Sequence, residues 1–104
     1  MIQISYCREG HRHRLTVEGH AGYAEYGQDI VCAGVSAVSF ALLEYLQECS
    51  AEITGVTGET GKLAITCMGG DGSDHAFGMA LCGYRKIAEN YPRYVEVHIT
   101  AKSG

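Results

Sequence analysis

Residues 30 to 49, IVCAGVSAVSFALLEYLQEC, place the strongest constraint on how this 104-residue chain can fold. Apolar side chains recur at helical spacing, with Val31, Val35, Val38, Leu42 and Tyr45 on one side and Phe40, Leu43 and Leu46 forming a second apolar face. A helix that is apolar on two sides must be covered on two sides. The expected covers are a sheet of the same chain and another subunit. The nearly unbroken apolar run from Ile30 to Leu43 is shorter than the roughly 20 residues a bilayer requires, so the helix is expected to be soluble and packed.

The rest of the chain supplies that sheet. Ile2, Ile4 and Tyr6 alternate with Gln3 and Ser5, a turn falls at Glu9-Gly10-His11, and Leu15 and Val17 alternate with Thr16 and Glu18. These read as an antiparallel hairpin ending at His20. A strand is expected from Glu52, a turn at 58–61, and a partner strand carrying Leu63, Ile65 and Cys67. The run GGDGS at 69–73 breaks the chain, and Ser73 or Asp74 is placed to cap a second helix whose apolar positions are Phe77, Leu81, Tyr84, Ile87 and Ala88. Pro92 stops it, and Val95, Val97 and Ile99 alternate in a last strand. The reading is a single α+β domain over residues 1–104, a two-layer fold with a mainly antiparallel sheet and two helices on one face, in the order β-β-α-β-β-α-β.

Composition narrows the function classes. A net charge of −4 argues against a dedicated nucleic-acid binder and suits a basic partner. The five cysteines are odd in number, and MIQISYCREG lacks the charged lead-in and apolar run of a secretion signal, so the thiols are expected to be reduced and the protein cytoplasmic. No metal or cofactor is expected: there is no CxxC or HxxxH pair, and GGDG lacks the lysine of a phosphate loop. HRHR at 11–14, with His11 and His13 two apart, reads as charged decoration of an exposed hairpin turn rather than a phosphate or zinc site.

The candidate chemistry lies in GHAGYAEYGQDIVCAGVS, residues 19–36. A histidine closes a strand, a loop of small and polar residues follows, and a cysteine stands at the mouth of the apolar helix. With Asp29 as helix cap, Cys32 falls at the third helical position, where unpaired N–H groups and the helix dipole favour a thiolate. His20 is placed to take the thiol proton, and the amides of Cys32 and Ala33 to hold an oxyanion. Asp29 works against a thiolate unless it is occupied in capping or in orienting His20, and both roles are open. Ser36, one turn beyond Cys32, either supports the site or bonds back to the helix. Against this stands the duller reading of a core cysteine and a structural histidine.

The runs GHA and GQDIVCAGVSA resemble the signature of the Prp family, bacterial ribosomal-processing cysteine proteases also called YsxB-like proteins, and LCGYRKIAENYPRYVEV is similar to the family's closing helix, Tyr-Pro break and strand. The resemblance implies a catalytic dyad of His20 and Cys32 with Asp29 and Ser36 in support, and a homodimer without cofactor. It implies an endopeptidase that removes the N-terminal extension of a large-subunit ribosomal protein after a hydrophobic, aromatic-containing segment. Gly22, Tyr23, Tyr26 and Gly27 would belong to a loop that moves over the substrate. Two other readings use the same residues: a non-catalytic ribosome-associated binding module, and a thiol redox sensor acting through Cys32.

Overall fold

A computed structural model describes residues 1–25, 28–49, 52–59 and 61–102. The elements are β1 (Ile2–Glu9), β2 (Arg12–Glu18), α1 (Ile30–Glu48), β3 (Glu52–Glu59), β4 (Lys62–Met68), α2 (Asp71–Asn90) and β5 (Val95–Lys102), in the order expected. One five-stranded sheet runs β3-β4-β2-β1-β5. Its pairings are antiparallel except that between β1 and β5, which is parallel, with Ile2 opposite Val95 and Tyr6 opposite Ile99.

The period-2 pattern decides which face of the sheet is covered. Ile2, Ile4, Tyr6, Leu15, Ile65, Cys67 and Val95 point to the buried side. They meet Val31, Val35, Leu42 and Leu46 of α1 and Phe77, Ala80, Leu81 and Tyr84 of α2 in one core. The helices also pack on each other, with Ser39 Oγ 2.8 Å from the Val35 carbonyl it donates to and 2.7 Å from the Tyr84 hydroxyl. Gly83 sits where a Cβ would come within 3.2 Å of Val38, so a side chain there would push the helices apart. At 19 residues and mean hydropathy 1.6, α1 is longer than its apolar run and by length and composition alone would reach across a membrane. The packing of its Val31, Val35, Leu42 and Leu46 makes it a core helix.

Two sequence expectations are corrected here. The second helix begins at Asp71 with Gly70 as N-cap, so the GGDG stretch is helix start as well as turn, and Ser73 is not the cap. Ser73 Oγ reaches back instead, accepting the Gly70 N–H and donating to the Gly70 carbonyl, both at 2.9 Å. The larger correction concerns HRHR. His13 is fully buried, because strand alternation places it on the same side as Leu15. Its ring stacks on Phe77 at 4.3 Å, nearly parallel, so only His11, Arg12 and Arg14 decorate the surface.

His13 is buried inside a polar network centred on Asp74. Nε2 lies 2.7 Å from Asp74 Oδ1 and Nδ1 lies 2.5 Å from the Tyr6 hydroxyl. The network assigns a neutral ring donating from Nε2 to the carboxylate and accepting the Tyr6 O–H at Nδ1. Asp74 Oδ2 takes His11 Nδ1 at 2.6 Å and the Arg8 guanidinium at 3.1 Å. Burial pushes the His13 titration down, against the opposing pull of Asp74. Burial pushes Asp74 up, but hydrogen bonds from His13 and His11 and the charge of Arg8 outweigh it and hold the carboxyl low. The Tyr6 phenol is pushed up to about 12, chiefly by burial.

Both His13 and Asp74 bind fewer protons folded than unfolded, so stability falls on acidification. The loss begins below about pH 6.5, as the unfolded histidine takes up a proton, and continues below about pH 3.9 for the aspartate. Asp74→Asn is expected to cost about 3 kcal/mol at neutral pH, because it leaves buried partners short of a charged acceptor. Urea unfolding at pH 7, 5 and 3.5 measures both effects, with the slope below pH 4 flattened in the variant.

Candidate active site

Asp29 is the N-cap of α1. Its Oδ1 accepts the Cys32 N–H at 2.9 Å and its Oδ2 accepts the Tyr23 N–H at 3.1 Å. Burial pushes its carboxyl up, yet the N–H groups of Cys32, Tyr23 and Ala24 and the Cys32 thiol together hold it below the usual range. One carboxylate thus closes the helix and ties down the loop that precedes it. Among the described residues Asp29 makes no hydrogen bond to His20, so of its two sequence roles the structure shows the cap.

Cys32 is half-buried, and its Sγ accepts the N–H of Ala21 at 3.3 Å. Ala21 is buried and directly follows His20, so the strand-end segment lies against the helix start. His20 itself is exposed, and its ring is turned toward the β3–β4 turn, where Nε2 lies 2.7 Å from the position a Cβ on Gly61 would take. Gly61 allows this by having no side chain and a left-handed φ of +78°. The segment is held there by the Gly19 N–H donating to the Gly61 carbonyl at 2.8 Å. Among the described residues no hydrogen bond joins His20 to Cys32. The segment that carries the histidine touches the thiol through Ala21 while the ring itself is turned to Gly61.

The two amides expected to hold an oxyanion both have partners in this structure. The Cys32 amide is spent on the Asp29 carboxylate and the Ala33 amide on the Asp29 carbonyl at 3.0 Å, because the cap satisfies the donors that were expected to be unpaired. The N–H that faces sulfur is that of Ala21, which sequence reasoning passed over because a backbone amide leaves no mark in a motif. Ser36 is exposed and makes no side-chain hydrogen bond among the described residues, so the structure does not bring it into the cluster. Of the loop residues, Gly22 has a left-handed φ of +70°. Tyr26 and Gly27 lie outside the described residues.

Tyr23 brings in two residues, on either side of Pro92, to which the sequence reading gave no role in the site. Its ring meets Tyr91 at 5.6 Å and Tyr94 at 5.2 Å, edge-on to both. A second polar cluster, His11, Asp71 and Asp74, places three possible metal-ligating atoms within 4.8 Å of one another. Both Asp74 oxygens are engaged, and the Arg8 guanidinium beside them opposes a cation.

The fold and site define an α+β scaffold that seats a thiol at a helix N-terminus beside a strand-end histidine. The chain belongs to the family described as cysteine protease Prp, whose model matches residues 1–96. The ribosomal processing cysteine protease Prp of Bacillus subtilis is 52% identical over 42 residues, 38% of this chain and 38% of that protein. Its namesake from Mycoplasma pneumoniae is 51% identical over 35 residues, 34% of this chain and 35% of that protein. The matched stretch thus spans little more than a third of these curated relatives. Among solved structures, the Staphylococcus aureus ribosomal processing protease Prp with a covalently linked product peptide superposes with a TM-score of 0.88 at 24% identity, over 96% of this chain and all of that one. A Streptococcus mutans protein superposes with a TM-score of 0.79 at 28% identity, over 98% of this chain and 96% of that one.

Asp29→Ala is expected to lower stability by about 1 kcal/mol, the usual worth of a helix cap. It also frees the Tyr23 amide. Hydrogen exchange should therefore speed up at both Tyr23 and Cys32, two amides nine places apart in the chain, while the Asp74 end of the molecule stays protected.

Proposed function

We propose that the chain is a cysteine endopeptidase that removes an N-terminal extension from a bacterial large-subunit ribosomal protein, with Cys32 as nucleophile and His20 as general base and acid. The observation that carries this reading is the contact of the Ala21 N–H with Cys32 Sγ, which sets a thiol, a helix terminus and the histidine-bearing segment at one point. The family match and the fold shared with a Staphylococcus aureus protease crystallised with substrate and product peptides support it.

In this reading the exposed His20 ring swings from Gly61 and takes the proton of the Cys32 thiol. The thiolate attacks the scissile carbonyl, the C=O bond opens, and the new oxyanion accepts from the Ala21 N–H. Collapse breaks the C–N bond, with His20 returning its proton to the leaving amine, and leaves a thioester. A water deprotonated by His20 then releases the acyl group and restores the thiol. Asp29 holds the helix and loop in register and takes no proton in this scheme.

The enzyme acts in the cytoplasm as a homodimer, without direct contact to nucleic acid. The dimer is supported by the outer side of α1, where Ile30 (56%) and Phe40 (64%) stand exposed alongside Ala33, Ala37 and Ala41. Phe40→Glu is expected to shift the protein from dimer to monomer in sedimentation velocity.

The direct test incubates the protein with the precursor ribosomal protein of the same organism and sequences the new N-terminus. Cleavage should fall by on the order of 10⁴-fold in Cys32→Ala. In the native protein iodoacetamide should label Cys32 ahead of Cys7, Cys49, Cys67 and Cys82; equal labelling of all five sinks the reading.

A further inference from the structure

The turn between β3 and β4 touches the candidate site twice through one residue. The Gly61 carbonyl accepts the N–H of Gly19, the residue before the histidine, at 2.8 Å. The His20 ring lies on the same glycine. A Cβ on Gly61 would stand 2.7 Å from Nε2, 3.1 Å from Cε1 and 3.4 Å from Cδ2, so the ring occupies the place of a side chain. Only a residue without a Cβ leaves that place open, and only glycine adopts the φ of +78° found there without strain.

The two contacts differ in kind. The bond from Gly19 fixes backbone, and Gly19 is hemmed in on another side as well, since a Cβ there would run into the Met1 carbonyl. The strand end is thus held between the start of β1 and the β3–β4 turn, and the Ala21 amide that follows keeps its 3.3 Å contact with Cys32 Sγ. The ring is held by packing alone: His20 is exposed, and among the described residues its side chain makes no hydrogen bond. A few van der Waals contacts make a shallow resting place, and rotation of the side chain empties it without moving the backbone.

We propose that Gly61 is a positioning residue of this site: its bare Cα seats the ring of the general base away from the thiol while the enzyme is empty, and its carbonyl keeps the Ala21 amide on the sulfur meanwhile. The strand end then carries one fixed group, the oxyanion donor, and one switchable group, the base. Substrate completes the site by drawing off the ring alone, with the β3–β4 turn unmoved. Between substrates the thiol is without its base, which shields it from small electrophiles. The proposal rests on the endopeptidase reading of Cys32 and His20 given above.

The test evicts the ring. Gly61→Asn fills its place, and asparagine tolerates a left-handed backbone better than most residues with a Cβ. At pH 7 iodoacetamide is expected to alkylate Cys32 of the empty G61N protein about three-fold faster than wild type, because a ring off its seat is free to reach the thiol. The gain should vanish when G61N is combined with H20A, and the exposed thiols Cys49 and Cys82 should show none. Gly61→Ala adds the same obstruction with more backbone strain, so it should give the same gain at lower stability. With the ribosomal precursor the effect should appear as a lower KM, since the bound substrate has already drawn the ring away. In wild type, NMR should show contacts between the His20 ring protons and the Gly61 α-protons that disappear when the precursor binds Cys32→Ala. Alkylation of Cys32 that is unchanged or slower in G61N, or a gain that persists in G61N/H20A, overturns the proposal, as does the absence of the His20–Gly61 contact from empty wild type. Should neither Gly61 variant fold, that wild-type contact and its loss on binding decide. If the contact and the His20-dependent gain are both present but wild type does not cleave the precursor, the endopeptidase reading fails and the seat stands.

Discussion

The carboxylate of Asp74 holds the second layer of this protein onto the first. It stands in the first turn of α2, is only 9% exposed, and takes hydrogen bonds from β1 through Arg8 and from the hairpin and β2 through His11 and His13. Charge buried this way stabilises only while every partner is present, so the contact fixes one arrangement of helix and sheet and penalises neighbouring ones. The consequence is felt at the far end of the helix. The helix carries that fixed position about 25 Å from Asp74 to its C-cap, Tyr91, with Tyr94 in the turn beyond. The two rings that Tyr23 meets are as well placed as they are because a polar cluster at the start of the helix leaves it no freedom to slide.

The site uses electrostatics more sparingly. Asp29 accepts one N–H from the helix and one from the loop, so a single side chain sets the distance between the element that bears the thiol and the segment that bears the histidine. Its negative charge lies near the sulfur but is already matched by donors. What remains directed at sulfur is the Ala21 amide, a neutral group that loses little when sulfur is neutral and gains when charge develops. His20, by contrast, is positioned by what is missing: a side chain at Gly61 would occupy the place of its ring.

Element order, the cap at Asp29 and the position of Cys32 were legible because each depends on local rules: alternation, helical spacing and the chemistry of a first turn. His13 was legible too, since it stands two and four places before Leu15 and Val17, but a polar residue in a basic run is read by its charge and not by its parity. Only the partner on α2, sixty-one residues away, makes that histidine acceptable in a core. The same distance hid the meeting of Tyr23 with Tyr91 and Tyr94, which in sequence look like a loop residue and a helix stop. Ser36 shows the converse. Spacing placed it one turn from Cys32, and the helix turned it to the surface. Motifs register residues that act through side chains in one segment, and they are silent on backbone donors and on contacts made by the return of the chain.

The parallel pairing of β1 with β5 sets a condition on biosynthesis. Strand β1 leaves the ribosome before the other elements of this fold, yet its edge partner is residues 95–102, and its first backbone bond across the gap runs from Ile2 to Tyr94. Contacts of such long sequence separation form late, because a loop of nearly the whole domain must close before they are gained. The antiparallel hairpin and α1 can assemble earlier, while the turn carrying Tyr91 and Tyr94 still lies inside the exit tunnel or at the peptidyl-transfer centre. The chain therefore emerges with its thiol before Tyr23 has the two rings it packs against. A half-made molecule has its thiol but an unfinished sheet, and the fold closes only when translation has passed β5.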